Sequence, residues 1–355
     1  MSRRGENAAA VGVALVGFGL AGEVFHAPLI RSTPGLHLRA VVSSRTSAIA
    51  AAGLVSVARI DEVLDDPAVA LVVIATPSGT HFEIASRALT AGKHVVVDKP
   101  FALTSREAEA LIALATAQDR KLTVFHNRRW DGDFLTVQRL LEQERLGEVS
   151  LYEACWDRYR PAVAHHWKDD AEPGGGIVYD LAPHLIDQAL CLFGAPDRVV
   201  AEIRRQRSGA RADDFFDLRL GYGERIVRLS ASMLVSAPRP RFALHGASAS
   251  FVKFGLDPQQ DHLKAGLRPG QRGYGLEPRS RFGHMTTSDG SHLRIPIRRG
   301  QWRVFYEGLV LAIVKGGPVP VDPRHAWTGL KIIEAAMQSA ADGRTIAIEG
   351  LQQFA

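Results

Sequence analysis

Three ionisable residues are spaced so that one face of a helix can carry them all. Asp180, His184 and Asp187 occupy positions i, i+4 and i+7 of a segment that follows three glycines, and residues at this spacing share a helical face. An imidazole beside carboxylates can accept and return a proton near neutral pH. We therefore favour an active-site stripe over the alternative, a solvated helix face with a structural histidine. Pro183 stands within the segment, so a kink or a late helix start is expected.

A lysine between an aspartate and a proline follows an apolar run. Asp98-Lys99-Pro100 comes directly after the predicted strand His94–Val97. Open α/β sheets bind ligands at the carboxyl ends of their strands, and Pro100 biases the backbone of Lys99 away from helix. A lysine there could bond a substrate hydroxyl and share in its deprotonation if burial and neighbours lower its pKa. The alternative is an ordinary surface lysine in a turn.

A glycine-rich turn joins the first predicted strand to the first predicted helix. Gly17-Phe18-Gly19-Leu20-Ala21-Gly22 follows Val11–Val16 and precedes a helical stretch. In this context Gly17 permits a tight turn, Gly19 lets the backbone approach a pyrophosphate, and Gly22 lets helix and strand pack closely. The helix N-terminus offers free N–H groups to the phosphates. The turn therefore predicts a dinucleotide cofactor.

The second predicted strand, Leu38–Ser43, ends without an acid. A site for NAD usually places Asp or Glu about 20 residues after the glycines, where the carboxylate bonds the ribose 2′-hydroxyl. Here the chain reads Ser43-Ser44-Arg45, and two hydroxyls with a guanidinium suit a 2′-phosphate that an acid would repel. These residues favour NADP over NAD. Alternatively, they only begin the next helix, with Ser44 as its cap.

These candidates need a scaffold, and the first third of the chain alternates strands with helices. Near-continuous apolar strands separated by helices are typical of a parallel sheet covered on both faces. The pattern predicts a doubly wound, Rossmann-type domain over residues 1–125. Its strands are predicted at Val11–Val16, Leu38–Ser43, Ala70–Ala75, His94–Val97 and Leu122–Phe125, and its helices include Thr80–Ala91 and Ser105–Ala117.

The pattern changes after a predicted helix at about Asp131–Glu144. Consecutive strands joined by short turns favour an open, mostly antiparallel sheet, so residues 126–355 are predicted to form one α+β domain. Three helices are expected on one face of that sheet, and residues 255–292 are expected to form irregular loops. The strands are predicted at Leu151–Tyr159, Val199–Gln206, Asp217–Tyr222, Ile226–Met233 and Arg241–His245, and the three helices at Ile177–Phe193, Trp302–Ile313 and Trp327–Ala341.

Composition restricts the class of protein. The chain has 355 residues, with 43 Lys+Arg against 38 Asp+Glu, a formal charge of +5 and 46% hydrophobic residues. These values indicate two folded domains and exclude a largely disordered chain. The arginines are scattered along the chain and do not form one basic stripe, so nucleic acid is not expected as a partner. The chain has only two cysteines, which is too few for a disulfide scaffold, so a reducing, cytoplasmic setting is expected. The cysteines and histidines lack the repeated spacing of a metal site, so no metal is expected.

We interpret residues 1–10 as a loose tail. Arg3-Arg4 before an apolar run is similar to a twin-arginine export signal, but Glu6 follows the pair, and Glu23 and His26 interrupt the run. The same run carries the glycine turn, which cleavage would remove. No stretch reaches the ~20 apolar residues of a membrane span, so no membrane partner is expected.

Together these motifs resemble the Gfo/Idh/MocA oxidoreductases, over nearly the whole chain. The resemblance rests on the glycine turn, the turn at Lys99 and the helix of Asp180 and His184, together with Ala75-Thr76-Pro77-Ser78 and His81. The subgroup of NADP-dependent scyllo-inositol dehydrogenases is similar at further markers. These are the full glycine turn with Phe25-His26-Ala27-Pro28, and Asn127-Arg128-Arg129-Trp130-Asp131.

The resemblance implies a catalytic set of Lys99, Asp180 and His184. The lysine and histidine would serve proton transfer and substrate orientation, and the aspartate would position them. It also implies a homodimer or homotetramer assembled through the sheet of a substrate-binding second domain. Two departures, Asp98 where the family more often has Glu and Ser78 where it more often has Asn, are mild and leave the chemistry in place.

The assigned site residues fall into two further groups. Thr76, Pro77, Ser78 and His81 would border the nicotinamide ribose, and Lys99 would reach both cofactor and substrate. Position and polyol-binding chemistry alone suggest a weaker set for the substrate. The cofactor residues are Gly17, Phe18, Gly19, Leu20, Ala21, Gly22, Ser43, Ser44, Arg45, Thr76, Pro77, Ser78, His81, Asp98, Lys99, Pro100 and Asn127, and the weaker substrate residues are Arg158, Tyr159, Arg160, Trp167 and Asp187.

The predicted function is an NADP-dependent oxidoreductase. It would transfer a hydride between nicotinamide and a secondary hydroxyl or ketone of a sugar or polyol such as an inositol. Two alternatives stay open: a non-catalytic sensor that binds NADP(H), and a reductase of another substrate, for example a cyclic imine or a halogenated sugar. The presence of Lys99, Asp180 and His184 together argues against the sensor, which has no need for all three.

Overall fold

Two β-sheets organise the molecule. The computed structural model describes residues 10–163, 169 and 172–348. The first sheet has six parallel strands in the order β3-β2-β1-β4-β5-β6, with the reversal of strand order between β1 and β4 that doubly wound folds use for ligand binding. Its strands are β1 (Val11–Val16), β2 (Leu36–Val42), β3 (Ser56–Val57), β4 (Leu71–Ile74), β5 (His94–Val97) and β6 (Leu122–Val124).

Helices cover both faces of this sheet because its strands are apolar throughout. Every residue of β1 and of β4 is buried, as expected for a parallel sheet between helical layers. The first helix begins with a π-helical turn, Ala21–His26, and continues as α1. The helices are α1 (Ala27–Ser32), α2 (Thr46–Ala51), α3 (Ile60–Leu64), α4 (His81–Thr90) and α5 (Ser105–Ala117).

The second sheet has nine strands in the order β14-β13-β12-β11-β7-β10-β9-β8-β15. Among the strand pairs described for this second sheet, only the β7–β10 pair is parallel. The predicted class, a Rossmann domain followed by an α+β domain with a mostly antiparallel sheet, is therefore confirmed. The strands are β7 (Val149–Cys155), β8 (Arg198–Arg204), β9 (Phe215–Tyr222), β10 (Arg225–Ser232), β11 (Phe242–Gly246), β12 (Ala249–Lys253), β13 (Gly283–Thr287), β14 (His292–Ile295) and β15 (Ile346–Ala347).

Two long helices pack on one face of this sheet. They are α7 (Gly176–Phe193) and α10 (Pro323–Asp342), which contact each other, while α10 also contacts α5 of the first domain. The remaining helices of this half are α6 (Gly132–Glu142), α8 (Gln259–Lys264) and α9 (Arg303–Lys315). Within the described ranges, no helix is long and apolar enough to cross a bilayer.

The expected position of the helix after Trp302 is wrong. We expected this helix on the second sheet, but α9 contacts α1 and buries its apolar face with the first domain. The Phe305 ring lies 5.0 Å from the ring of Phe125, and the Tyr306 hydroxyl lies 2.6 Å from His26 Nδ1. An apolar stripe predicts that a helix face is buried, but it carries no information about which sheet covers that face.

Two further expectations need correction. Residues 255–292 are not only loops, because they include α8, β13 and the start of β14, and the unpredicted β12 lies just before them. Of the two alternatives expected around Pro183, a kink or a late helix start, the late start is wrong, since α7 begins at Gly176 and carries the proline in its interior. Its predicted apolar stripe at Ile177, Leu181, Leu185 and Ala189 is buried.

Candidate active site

The glycine turn lies at the carboxyl end of β1, against the end of β4. Gly17 has φ +98°, and a Cβ there would stand 2.4 Å from the carbonyl oxygen of Ala75. A Cβ on Gly22 would stand 2.2 Å from the carbonyl oxygen of Gly17, whereas a Cβ on Gly19 would meet nothing within 4 Å. The turn is therefore closed against the protein at two glycines and open to a ligand at the third. This shape fits a dinucleotide pyrophosphate.

Arg45 extends from the end of β2 to the glycine turn. Its Nη1 donates to the carbonyl oxygen of Phe18 and, at 2.9 Å, to Glu23 Oε2. Helix α2 begins at Thr46 with Arg45 as its N-cap, and no side chain caps it, so Ser44 does not have the capping role of the alternative interpretation. The Ser43 hydroxyl accepts the Arg45 N–H at 3.3 Å. The half-exposed guanidinium thus lies beside the cofactor turn.

His81 joins the loop after β4 to the loop after β5. Its Nδ1 lies 2.8 Å from the carbonyl oxygen of Pro100, and its Nε2 lies 3.0 Å from that of Thr76. Burial lowers the pKa of the imidazole, although Asp98 opposes the shift. The ring is enclosed by protein, so its contribution to a cofactor site comes from holding Thr76, Pro77 and Ser78 in place.

Lys99 and Asp180 come from different domains and form an ion pair. Lys99 Nζ lies 3.1 Å from Asp180 Oδ1 and donates to the Asp180 carbonyl oxygen at 2.6 Å. The other carboxylate oxygen accepts from Arg158 Nη1 at 3.3 Å. Both partners of the lysine pair are only 13% exposed. The structure therefore brings two of the three predicted catalytic residues into contact.

His184 lies one helical turn beyond Asp180 and is 6% exposed. Its ring stacks on the Trp156 indole at 5.4 Å and 26°. Burial lowers the pKa of His184 well below its ordinary value, Lys99 and Arg128 lower it further, and Asp180 opposes them. These surroundings favour the neutral imidazole, which is the form that can accept a proton.

Asp187 shares the helical face but belongs to a different contact group. Both of its carboxylate oxygens accept from Arg129, at 2.6 and 2.9 Å. Burial alone would raise the pKa of this carboxyl, yet Arg129 and His126 outweigh burial and lower it. Asp187 is 3% exposed, and its oxygens are already engaged. These contacts indicate a structural role for Asp187 next to the site. They do not indicate direct contact with substrate.

The triple glycine allows α7 to begin against other elements. A Cβ on Gly174 would stand 2.3 Å from Ser78 Oγ, and one on Gly176 would stand 2.1 Å from Asp213 Oδ1. Asp213 Oδ2 accepts the Val178 N–H at 2.7 Å, and burial raises the pKa of this carboxyl to about 6. Sequence reasoning missed Asp213, because nothing in its neighbourhood along the chain indicates that it caps a helix 35 residues earlier.

The remaining predicted residues are scattered. Tyr159 is 60% exposed, Arg160 is exposed, and Asn127 is buried directly after β6. Trp167 lies outside the described residues. Sequence reasoning also missed Trp156, whose ring stacks on His184, and it assigned no individual role to Arg129.

Comparison with known proteins identifies the family. Residues 11–126 match the model for the NAD-binding Rossmann fold of the GFO/IDH/MocA oxidoreductase family. Residues 138–348 match the model for the C-terminal alpha/beta domain of the same family. The chain belongs to the Gfo/Idh/MocA oxidoreductase family. The predicted family and the predicted enzyme class, an NAD(P)-dependent dehydrogenase, are confirmed.

Relatives within this family match over almost their full length. The uncharacterized oxidoreductase YdgJ of Escherichia coli is 42% identical, over 95% of this chain and 98% of its own. The scyllo-inositol 2-dehydrogenase (NADP(+)) IolW of Bacillus subtilis is 37% identical, over 95% and 96%. The structure of Bacillus subtilis yvaA has a TM-score of 0.93 at 37% identity, covering 96% of this chain and 99% of that one. The whole two-domain arrangement is therefore that of the family.

Proposed function

We propose that the protein is an NADP-dependent dehydrogenase that interconverts a secondary hydroxyl and a ketone on a sugar or polyol of the inositol type. The contact between Lys99 and Asp180, with His184 on the next turn of α7, carries this proposal. The three groups lie beyond the carboxyl end of β5. The open glycine turn stands at the carboxyl end of β1 in the same sheet. This edge of an open α/β sheet is where a dinucleotide and its substrate meet.

The protein's own residues handle the proton and the orientation of the substrate. In the oxidation direction the substrate hydroxyl releases its proton to His184 or Lys99. Asp180 holds the lysine from the opposite domain, so residues of both domains set the position of the ammonium. When it is bound, the nicotinamide ring accepts or donates the hydride.

The dinucleotide would be held by residues at the ends of three strands. Gly17, Gly19 and Gly22 would admit the pyrophosphate, and Thr76 with Ser78 would border the nicotinamide ribose. Arg45 supports a preference for NADP, because its guanidinium lies at the glycine turn and no acid follows β2. A 2′-phosphate would compete with Glu23 for this arginine.

The names of two relatives support a polyol substrate. IolW is a scyllo-inositol 2-dehydrogenase (NADP(+)), and a Rhizobium meliloti relative at 25% identity is an inositol 2-dehydrogenase. Cyclitols and sugars present the secondary hydroxyl next to further hydroxyls. The exposed side chains of Tyr159 and Arg160 and the Arg158 guanidinium are candidates to bind those further hydroxyls.

The test is an NADPH absorbance assay of the purified protein on a panel of cyclitols, aldoses and their keto forms, with NADP and NAD in parallel. We expect turnover of at least one cyclitol or sugar, with a higher kcat/KM for NADP. Reduction of only a non-carbohydrate substrate would contradict the substrate class. NADPH binding without turnover of any substrate would support the sensor instead.

We also infer a homodimer or homotetramer built on the face of the nine-stranded sheet opposite α7 and α10. Val200 and Ile226 are 42% and 49% exposed on strands of that sheet. Light scattering is expected to give a mass of two or four chains, and Ile226→Glu should lower it. The division into domains 1–125 and 126–355 and the cytoplasmic location stay predictions.

A further inference from the structure

A column of aromatic and cationic groups ends at His184. The Arg128 guanidinium carbon lies 4.8 Å from the ring centroid of Trp302 and 4.8 Å from that of Trp156. The Trp156 indole in turn stacks on the His184 imidazole at 5.4 Å. The arginine is therefore held between two indoles, and one of those indoles is the surface on which the imidazole rests.

Arg128 is held firmly in this column. Its side chain is 4% exposed, its Nη2 donates to Gln260 Oε1 at 2.8 Å, and its Nη1 lies 3.5 Å from Asp131 Oδ2. Its own carbonyl oxygen accepts from Gln188 of α7 at 3.1 Å. Partners on several elements restrict the position of the guanidinium, which in turn packs on the Trp156 ring.

The orientation of His184 does not come from a carboxylate. A catalytic imidazole is commonly oriented by a hydrogen bond from its second nitrogen to an acid or carbonyl. Among the described residues, His184 Nδ1 is enclosed and has no hydrogen-bond partner. The stack on Trp156, at 26° between the ring planes, restricts the plane of the imidazole. This leaves Nε2 as the nitrogen for proton exchange.

The charges around His184 are mainly positive. Three groups outside its own helix lower the pKa of His184: Lys99 after β5, and His126 and Arg128 after β6. Asp180, on the same helix as His184, raises it. The guanidinium carbon of a further cation, Arg241, lies 5.4 Å from the ring centroid of Trp156. Arg128 both lowers the pKa of His184 and lies over the indole on which the imidazole stacks.

We propose that Arg128, acting through Trp156, is a positioning residue that sets the plane of the His184 ring and places a positive charge beside the imidazole that takes the proton of the substrate hydroxyl. The catalytic role of His184 in this proposal rests on the function proposed above. In oxidation the O–H bond and the carbinol C–H bond of the substrate break as the C=O bond forms. The proton passes to His184 Nε2, and the hydride from carbon would be accepted by the oxidised nicotinamide of that proposed reaction. In reduction the proton returns by the same path.

The test compares Arg128→Met and Arg128→Lys with a matched control, Arg225→Met. The control removes a guanidinium whose carbon lies 4.8 Å from the ring centroid of Phe193, the last residue of α7. The first readout is the titration of His184 in histidine 1H–15N spectra, with its signal identified by its loss in His184→Asn. Loss of the nearby positive charge should raise the His184 midpoint by about 1 pH unit in Arg128→Met. Arg128→Lys and the control should retain the wild-type midpoint.

The second readout is the pH profile of kcat/KM in the oxidation direction. The acid limb should move to higher pH in Arg128→Met, and kcat should fall about tenfold with the KM for NADP unchanged. Identical His184 titration curves for folded wild type and Arg128→Met would overturn the proposal. If Arg128→Met does not fold, Trp156→Phe replaces it, and an unchanged kcat in that variant would overturn the proposal.

The two proposals fail in different ways. The His184 titration needs neither substrate nor cofactor, so it tests the role of Arg128 even if no polyol is turned over. Turnover of a polyol with an unmoved acid limb in Arg128→Met would leave the proposed function intact and remove only the role of Arg128.

Discussion

Lys99 Nζ lies 3.1 Å from Asp180 Oδ1 and donates to the carbonyl oxygen of the same aspartate at 2.6 Å. One residue follows the fifth strand of the Rossmann sheet, and the other stands on the long helix of the second domain, 81 positions later. This contact joins the two domains at the proposed reaction site. The ammonium is therefore positioned by both domains at once, and its removal should affect chemistry more than binding.

Lys99→Met should lower kcat by about 10²–10⁴-fold, the range expected for loss of a group that takes part in proton transfer. The dissociation constant for NADP, measured by fluorescence titration, should change little because the glycine turn is untouched. Lys121→Met serves as the control, since Lys121 Nζ donates to the carbonyl oxygen of Gly317 at 3.1 Å, a contact that involves no proposed site residue. Near wild-type turnover in Lys99→Met would remove the lysine from the mechanism.

The second and third glycines of the turn, Gly19 and Gly22, should respond differently to alanine. Gly22→Ala places a Cβ 2.2 Å from the carbonyl oxygen of Gly17, so we expect a loss of about 1–3 kcal/mol in the free energy of unfolding without cofactor. Gly19→Ala meets no protein atom within 4 Å, so the unfolding free energy should stay within about 0.5 kcal/mol. Its affinity for NADP should nevertheless fall. Urea unfolding and cofactor titration measure the two effects, and a destabilised Gly19→Ala would show that the turn is not open there.

Arg45→Ala should reduce the preference for NADP over NAD. The guanidinium is the cation that the structure places at the glycine turn after β2, and a charge-assisted bond to a phosphate contributes about 1.5–3 kcal/mol. We expect the ratio of kcat/KM values for NADP and NAD to fall by about 10–100-fold. Arg31→Ala on α1, whose Nη1 donates to the carbonyl oxygen of Ala52, is the control. An unchanged ratio in Arg45→Ala would assign the preference to other residues.

Acid should destabilise the fold through His26. Burial lowers the pKa of this histidine to about 4, Asp98 raises it in opposition, and His81 lowers it. Because the unfolded chain takes up the proton near the ordinary value, the stability is fully present above about pH 6.5 and is lost as the pH falls toward 4. Between pH 7 and 5 this one residue should cost about 2 kcal/mol.

His26→Gln should therefore show a smaller loss of unfolding free energy between pH 7 and 5 than the wild type. Glutamine can still accept a hydrogen bond from Tyr306, which lies 2.6 Å from His26 Nδ1. His284→Gln, at an exposed position of β13, is the matched control and should keep the wild-type slope. Equal slopes in the wild type and in His26→Gln would show that the acid transition has another origin.

Features encoded by neighbouring residues were predictable from the chain alone. The apolar runs that form β1, β4 and β5 and the glycines of the turn determine local geometry within a few residues, and they were sufficient to predict the parallel sheet and a cofactor at its edge. The helical spacing of Asp180 and His184 likewise predicted a shared face. The NADP preference and the catalytic roles remain predictions, because the relevant ligand contacts depend on molecules that bind between these elements.

Long-range partners were decided by the tertiary structure. Asp187 appeared equivalent to Asp180 by spacing, yet Arg129 occupies both of its oxygens. The apolar spacing of α9 predicted a buried helix face, but only the structure shows that this face packs on the first domain. Arg128 became a candidate only when Trp156 and Trp302 were found on either side of its guanidinium. Periodicity determines which face of an element is buried, whereas the identity of the group opposite that face depends on how segments distant along the chain pack together.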